Sequence, residues 1–498
     1  MNAPLTQPPA ASVGKPLSLL SADRSLTLLI TLLAAVLAVR IAGLYLSRAE
    51  LFFDEAQYWA WAQDPAFGYF TKPPLIAWII TATTSVCGDT PFCVRLPSPV
   101  MHFAVALVIH AIASKLYSRR TAFWAALVYA LMPGTSISAT LMSTDVPLLL
   151  FWSLALLALV RHVERPSVTT GLAVGLAIGL GLNAKYAMAY FVLCFIAFAA
   201  VSPKARDVLK HSGTWTALAV ALLLIAPNIV WNVEHQFATF EHTRDNAAWS
   251  GRFPNVPGLL EFISAQIGII GPVSFVAYLV AARNRPPVLD ADPRLLLLAM
   301  SLPVFVIVAA QALISKANGN WAAVGFPAAV VLATYVIVAL NWRRGMIATI
   351  IISAVALVGA SFAGSLAGTN VFGPIGRELG KMTGWGEFAV KTADIARAEG
   401  IQTIAYIGRG LTASMIYELR DENIDVRAYT ADKTAPMDHF EMTRPWSAED
   451  VGPVLLVFPG EGNPPKAVAG RATLVEIFDT SIFITRRHGW KASAYRVD

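Results

Sequence analysis

Long apolar segments recur along most of this chain and decide what it can fold into. The 498 residues are 56% hydrophobic and 14% charged, with a mean hydropathy of +0.57. Soluble domains carry about 25% charged residues. The sequence therefore predicts a polytopic α-helical membrane protein. The apolar segments are 25–46, 73–88, 96–117, 121–134, 145–161, 169–183, 186–201, 213–230, 258–281, 294–314, 320–340 and 344–366.

Loop charge predicts the orientation of these segments. The net charge of +6 alone is compatible with nucleic-acid binding. Much of the basic charge lies instead in short connectors between apolar segments, which is typical of cytoplasmic loops. The connectors are Arg119–Arg120, Arg161–Arg165, Lys204–Lys210, Arg283–Arg294 and Arg343–Arg344. We therefore predict that residues 1–24 form a cytoplasmic tail and that nucleic acid is not a partner.

The segment 73–88 is too short for a span. Its 16 residues would reach about 24 Å as a helix, against a hydrocarbon core of about 30 Å. It also begins with Pro73-Pro74. We predict a short helix that does not span, about eleven spans in all, a long external loop at 47–95, and an external C-terminus.

The composition changes after residue 366. Short strand patterns at 401–407, 425–429 and 454–458 alternate with helical patterns. We predict a membrane domain at 25–366 and a small external α/β domain at 367–498. Gly408-Arg-Gly410 is too short to be a nucleotide fingerprint.

Three cysteines are present. Cys194 lies in an apolar segment and is predicted to be a core residue. Cys87 and Cys93 are close enough to pair in an oxidising compartment, but the sequence favours unpaired cysteines, and no zinc-binding spacing occurs.

The clearest site signal is a pair of adjacent carboxylates, Asp54 and Glu55, among aromatic residues directly after the first apolar segment. Charge beside hydrocarbon usually serves chemistry or transport. One carboxylate could take a proton from an attacking hydroxyl while the other orients groups around it. The alternative is a solvated pair on an amphipathic segment.

Several cations are predicted on the same external side. Lys72 precedes the Pro-Pro corner and could bind a phosphate or contact lipid headgroups. Converging cations would suit a phosphate leaving group. The further candidates for phosphate or substrate binding are Tyr69, Arg95, Asp145, Lys185, His235, Arg244 and Lys316. Arg95 could be purely structural, Asp145 could cap a helix, and Tyr69 could belong to an aromatic belt.

These residues together resemble the membrane-embedded glycosyltransferases of family 39 and the wider GT-C superfamily, which include protein O-mannosyltransferases and lipid A aminoarabinose transferases. The resemblance covers residues 25–366. It rests on Asp54-Glu55, Tyr69-Phe-Thr-Lys-Pro-Pro74, Arg95-Leu-Pro97, Thr144-Asp145 and the loop from Lys316 to Trp321.

The resemblance implies an inverting hexosyl- or pentosyltransferase that uses a polyprenyl-phosphate sugar. Asp54 would be the base with Glu55 as its partner, and Lys72 would hold the carrier phosphate. The lipid A transferases carry an acidic residue where this chain has Thr71, so the resemblance leaves open whether a divalent metal binds, and it implies no other cofactor.

The implied setting is the bacterial inner membrane, with the site and C-terminal domain facing the periplasm and a glycolipid such as lipid A or lipopolysaccharide as acceptor. Protein O-mannosylation is the alternative acceptor chemistry. A lipid-linked sugar flippase is the alternative of another class, but it predicts charges near the bilayer midplane and repeat symmetry.

Overall fold

The computed structural model describes residues 22–240, 253–283, 291–369, 373–430, 435–450, 452–480 and 491–498. Helices dominate up to residue 366. They are α1 Ala22–Tyr45, α2 Phe53–Ala62, α3 Leu75–Cys87, α4 Pro91–Arg95, α5 Pro97–Leu116, α6 Arg119–Leu131, α7 Pro133–Ser138, α8 Asp145–Glu164, α9 Val168–Ala184, α10 Tyr190–Val201, α11 Pro203–Val208, α12 Ser212–Glu234, α13 Val256–Ile270, α14 Pro272–Arg283, α15 Ala291–Ala299, α16 Leu302–Ile314, α17 Phe326–Ala339 and α18 Arg343–Ala363.

Within the described residues, seven helical segments are long and apolar enough to cross a membrane, and the bent pair α13–α14 could make an eighth span. The prediction of a polytopic α-helical membrane protein is therefore confirmed. Shorter apolar helices, α3, α9 and α10, lie among them. The segment 258–281, counted as one span from the sequence, consists of two helices that meet at Gly271 at an angle of 107°.

Close packing of α9 on α12 explains why Gly171 and Gly213 are glycines. A methyl group on Gly171 of α9 would lie 1.9 Å from the carbonyl oxygen of Gly213 in α12. Small residues allow two helix backbones to approach in a membrane, where packing replaces the hydrophobic effect as the driving force. The α9–α12 pair therefore depends on glycine at this crossing.

Two of the three cysteines correct a prediction. Cys87 ends α3 and forms a disulfide with Cys93 in α4. The turn through Gly88, with a φ of +87°, reverses the chain between the two short helices. The sequence-based prediction of two unpaired cysteines is therefore wrong, because local periodicity does not reveal that reversal. Cys194 is fully buried, as predicted.

The C-terminal region contains a six-stranded sheet. Its strands are β1 Thr403–Tyr406, β2 Asp425–Tyr429, β3 Pro445–Trp446, β4 Val454–Pro459, β5 Ala472–Asp479 and β6 Lys491–Val497. The order is β3-β2-β1-β4-β6-β5, with β6 antiparallel to both of its neighbours and the other pairs parallel. The helices of this region are α19 Gly373–Leu379, α20 Trp385–Ala398, α21 Arg409–Glu418 and α22 His439–Thr443.

The sheet region is joined to the helical part beside α2. Alternate strand residues face opposite sides, so Ile404 and Tyr406 pack against α20 and α21 while Ala405 packs on the other face. Helix α21 also packs against α2, and one apolar cluster includes Trp61 of α2 and Ala413 of α21. The sheet region therefore covers the segment that carries the adjacent carboxylates.

Candidate active site

Helix α2 begins at Phe53, so both adjacent carboxylates lie in its first turn. A carboxylate is favourable there because the helix N-terminus carries partial positive charge. Successive residues on a helix point about 100° apart. Asp54 and Glu55 therefore face different surroundings, although they are neighbours in the sequence.

Glu55 is enclosed by protein and only 1% exposed. Arg95 donates to both of its oxygens, with Nη2–Oε2 at 2.7 Å and Nε–Oε1 at 3.0 Å. Backbone N–H groups of Phe52 and Met142 also donate to Glu55, at 3.0 and 2.9 Å. Arg95 further donates to the carbonyl oxygens of Ala49 and Glu50. The Glu55–Arg95 ion pair and its hydrogen bonds therefore connect α2, α4 and the segment before α8.

Asp54 is open by comparison, with its side chain 37% exposed. Arg409 at the start of α21 donates from Nη1 to Asp54 Oδ1 and to Gln57 Oε1, both at 2.8 Å. The guanidinium also lies over the ring of Phe53, 5.2 Å from its centroid. Asp54 therefore lies where α2 meets the sheet region.

Lys72 follows a tight turn that is locked by Tyr69. The backbone groups of Tyr69 and Lys72 exchange hydrogen bonds at 3.1 and 3.3 Å. The Tyr69 hydroxyl donates to the carbonyl oxygens of Trp61 and Asp64, and its ring stacks on Trp61 at 4.6 Å. Tyr69 therefore fixes the loop that presents Lys72, and it is itself buried.

The pKa of Lys72 shows what surrounds its ammonium group. This pKa is lowered to about 8, chiefly by burial and then by the nearby charge of Lys185. Asp145 and Asp54 act in the opposite direction, while Arg409 also lowers it. Lys72 thus lies among the charges of four other side chains, which come from four separate parts of the chain.

Asp145 and Lys185 form an ion pair within this cluster. Lys185 Nζ lies 2.6 Å from Asp145 Oδ1, and Asn320 donates to Asp145 Oδ2 at 2.7 Å. Asp145 is the first residue of α8, Lys185 follows α9, and Asn320 lies in the 3-10 helix Gly319–Gly325. The termini of three apolar segments therefore meet at the Asp145–Lys185 ion pair.

The other predicted residues lie outside this cluster. His235 directly follows α12 and stacks on Trp231 at 4.0 Å, with its Nδ1 2.8 Å from the Trp231 carbonyl oxygen. Lys316 is exposed in the loop before the 3-10 helix. Arg244 lies outside the described residues. We refer to Asp54, Lys72, Asp145, Lys185 and Arg409 as the charge cluster.

Metal ligands are sparse around the charge cluster. In the part of the chain that the structure describes, no group of three or more His, Cys, Asp or Glu side chains could hold a metal ion. Thr71 is buried and accepts a long hydrogen bond from Gln57, at 3.4 Å. A neutral hydroxyl is a weaker ligand for a divalent cation than a carboxylate. The donor set beside Lys72 therefore fits a divalent metal poorly.

Sequence reasoning missed Arg409. It follows Gly408, whose φ of +102° lets the chain turn from β1 into α21. Gly410 follows it, and a methyl group there would be 3.4 Å from the ring of Phe53. The glycines on both sides of Arg409 are typical of a turn, but nothing in the sequence indicated what Arg409 contacts.

Comparisons with known proteins identify the family of this chain. A family model described as dolichyl-phosphate-mannose-protein mannosyltransferase matches residues 71–231. Lipid A galacturonosyltransferase RgtD of Rhizobium johnstonii is 33% identical over 427 residues, which cover 84% of this chain and 88% of that protein. The family match includes Lys72, Asp145 and Lys185.

Solved structures agree on the fold. ArnT from Cupriavidus metallidurans in the apo state matches with a TM-score of 0.61 at 15% identity, over 95% of this chain and 98% of that one. An oligosaccharyltransferase of Archaeoglobus fulgidus matches with a TM-score of 0.52 at 12% identity, over 82% of this chain and 64% of that one. With the relative at 33% identity, they establish that this chain is a glycosyltransferase and belongs to the GT-C superfamily of membrane glycosyltransferases.

Proposed function

We propose that this enzyme transfers a sugar from a polyprenyl-phosphate carrier to an envelope glycolipid, with inversion at the anomeric carbon. The observation that carries the proposal is the charge cluster, in which accessible Asp54 lies with two cations at the ends of apolar helices, Lys72 and Lys185, and with Arg409 from the C-terminal region. A lipid-linked donor suits that position, because its tail can stay in the bilayer while its phosphate reaches the cations.

Asp54 acts as the general base. Its side chain is 37% exposed, so an acceptor hydroxyl can reach it. The hydroxyl oxygen attacks C1 of the sugar, and its proton passes to Asp54. The bond between C1 and the phosphate oxygen breaks on the opposite face of the sugar, and the electron pair leaves with the carrier phosphate.

Lys72 and Lys185 hold the phosphate. Charge builds up on the leaving phosphate as the sugar departs, and fixed cations stabilise that charge most where water is partly excluded. Asp145 and Asn320 fix the position of Lys185. Asp145 is thus a positioning residue in this proposal, as are Glu55 and Arg95, whose contacts hold the helix that presents Asp54.

His235 and Lys316 are proposed at the edge of the substrate path. His235 stacks on Trp231, and Trp231 lies against Gly68, close to the Lys72 turn. Lys316 is exposed four residues before Asn320, which contacts Asp145. Both are close enough to meet a large lipid substrate without taking part in the chemistry.

Lipid A or a related lipopolysaccharide is the acceptor class that we propose. The support is RgtD, a lipid A galacturonosyltransferase that covers most of this chain. We propose the bacterial inner membrane as its location, with about eleven spans and the charge cluster and residues 367–498 facing the periplasm. The Cys87–Cys93 disulfide supports an oxidising side for the first external loop.

Protein O-mannosylation is the second candidate, because the matching family model is described as a protein mannosyltransferase. That match covers residues 71–231, which include the cations but not Asp54 or the sheet region. We therefore propose one class of donor but keep two classes of acceptor.

Mass spectrometry of envelope lipids and glycoproteins from a deletion strain tests the proposal. We expect the deletion to remove one sugar increment from lipid A or lipopolysaccharide, and the wild-type gene to restore it. Loss of a hexose from glycoproteins with unchanged lipids would favour the second candidate. Unchanged lipids and glycoproteins would contradict both.

A further inference from the structure

Arg409 is the one member of the charge cluster that comes from the C-terminal region. Its Nη1 donates two hydrogen bonds to described side chains of α2, to Asp54 and to Gln57, both at 2.8 Å. The side chain is 33% exposed. An arginine carries five donors in a planar fork that matches phosphate oxygens. The geometry therefore leaves donors of Arg409 available on its exposed side.

The bond between Arg409 and Asp54 also opposes the proposed chemistry. A base must offer a lone pair to the acceptor hydroxyl, and the guanidinium occupies one of the two carboxylate oxygens of Asp54, Oδ1. A phosphate held by Lys72 and Lys185 would compete with Asp54 for the same guanidinium, since both anions pair with arginine. Arg409 lies close enough for its charge to influence the ammonium group of Lys72.

We propose that Arg409 is a ligand of the donor phosphate and that its bond to Asp54 is broken when the donor binds. Arrival of the phosphate thus draws the guanidinium away and frees the base at the moment when the sugar is in place. The C-terminal region contributes a substrate-binding residue in this scheme. The proposal rests on the polyprenyl-phosphate donor of the proposed function.

Binding of polyprenyl phosphate to the purified full-length protein tests the proposal, with intrinsic fluorescence as the readout. The variants are Asp54→Asn, Arg409→Gln and the double variant. Arg397→Gln is the matched control, because Arg397 is an ion-paired arginine on α20 that contacts Asp394 and Glu422. Arg409→Lys keeps the charge without the fork.

We expect Arg409→Gln to weaken binding about tenfold or more and Arg397→Gln to have no effect. Arg409→Lys should restore part of the loss. Asp54→Asn should tighten binding in the wild-type background, because it removes the competing partner of Arg409. It should not tighten binding when Arg409 is already replaced.

Three results would overturn the proposal. Binding by Arg409→Gln equal to that of the control would remove Arg409 from the phosphate site. Equal tightening by Asp54→Asn in both backgrounds would mean that Asp54 repels the phosphate directly. Unchanged donor binding with a raised KM for the lipid A acceptor would assign Arg409 to an acceptor phosphate. If the wild type does not bind polyprenyl phosphate, the donor class of the proposed function is itself wrong.

Discussion

At the residue scale, α2 places two neighbouring carboxylates in different surroundings, and we propose different tasks for them. Glu55 pairs with buried Arg95 and is itself 1% exposed, whereas the Asp54 side chain is 37% exposed. The sequence predicted a catalytic pair, because adjacent residues look alike before the helix and its neighbours are known. These contacts support Asp54 as the residue that takes the proton and Glu55 as the residue that positions the helix.

Stability measurements separate these two tasks. Glu55→Gln leaves Arg95 buried beside a neutral partner, and breaking a buried ion pair costs about 3–5 kcal/mol. Asp54→Asn weakens a partly exposed pair, which is worth about 0–1 kcal/mol. We expect thermal unfolding in detergent, followed by tryptophan fluorescence, to show a much lower Tm for Glu55→Gln only. A lower Tm for Asp54→Asn than for Glu55→Gln would contradict these assignments.

Lys72 predicts a dependence on pH. Its pKa is lowered to about 8, chiefly by burial and then by Lys185. The free enzyme therefore loses this positive charge as the pH rises through 8, and phosphate binds the charged form. We expect the KM for the donor to rise by about tenfold per pH unit well above 8. In Lys72→Arg the KM should stay flat, because arginine remains charged. An equal rise in both proteins would show that another group is responsible.

The sequence identified four members of the charge cluster but not the fifth. Asp54, Lys72, Asp145 and Lys185 lie at ends of apolar segments, where a charge stands out. Arg409 lies 355 positions from Asp54 and sits in a polar region where arginine is ordinary. Only the packing of α21 on α2 brings it to the cluster, and no local pattern encodes that packing.

At the element scale, the start of α20 depends on a carboxylate from outside the helix. Glu50 accepts hydrogen bonds from the backbone N–H groups of Trp385 at 2.7 Å and Gly386 at 3.0 Å. The helix has Gly384 at its N-cap, with no side-chain cap of its own. Glu50, just after α1, thus supplies the cap across the interface with the sheet region.

Replacing Glu50 tests this interface. We expect Glu50→Ala to destabilise the docked C-terminal region by about 1–2 kcal/mol, as the loss of a helix cap does. Glu50→Gln should lose less, since its side-chain oxygen still accepts hydrogen bonds. Limited proteolysis between the membrane helices and the sheet should therefore be faster for Glu50→Ala. Equal cleavage rates for Glu50→Ala and wild type would show that the cap does not support docking.

Elements with strong local signals were predictable, and those set by tertiary contacts were not. The shortness of α3 and the strands β1, β2 and β4 followed from length and apolar pattern. Strand β5 was missed because several of its residues face solvent and break the apolar run. Strand β6 is mostly buried, but Lys491, Ser493 and Arg496 interrupt its apolar pattern. The bend at Gly271 and the Cys87–Cys93 disulfide depend on chain reversals that periodicity does not report.

At the scale of the whole molecule, the proposed orientation puts the charge cluster outside the cytoplasm. Labelling of single cysteines tests this orientation. In a chain with Cys87, Cys93 and Cys194 replaced by serine, one cysteine is introduced at a time, as Lys316→Cys or Arg344→Cys. Both native side chains are exposed. We expect a membrane-impermeant maleimide to label position 316 in intact cells, and position 344 only after permeabilisation. The reverse pattern would invert the topology, while unpermeabilised labelling of both would contradict a span between them.

The central claim is that Asp54 is the base of a sugar transfer from a polyprenyl-phosphate donor. The direct measurement is product formation by purified wild type and Asp54→Asn, with a labelled polyprenyl-phosphate sugar and a lipid A acceptor. Both proteins should have the same Tm, so that folding is not the variable. We predict transfer by the wild type and a loss of about 100-fold or more in Asp54→Asn, as expected for a missing general base. Transfer by Asp54→Asn at the wild-type rate would contradict the account.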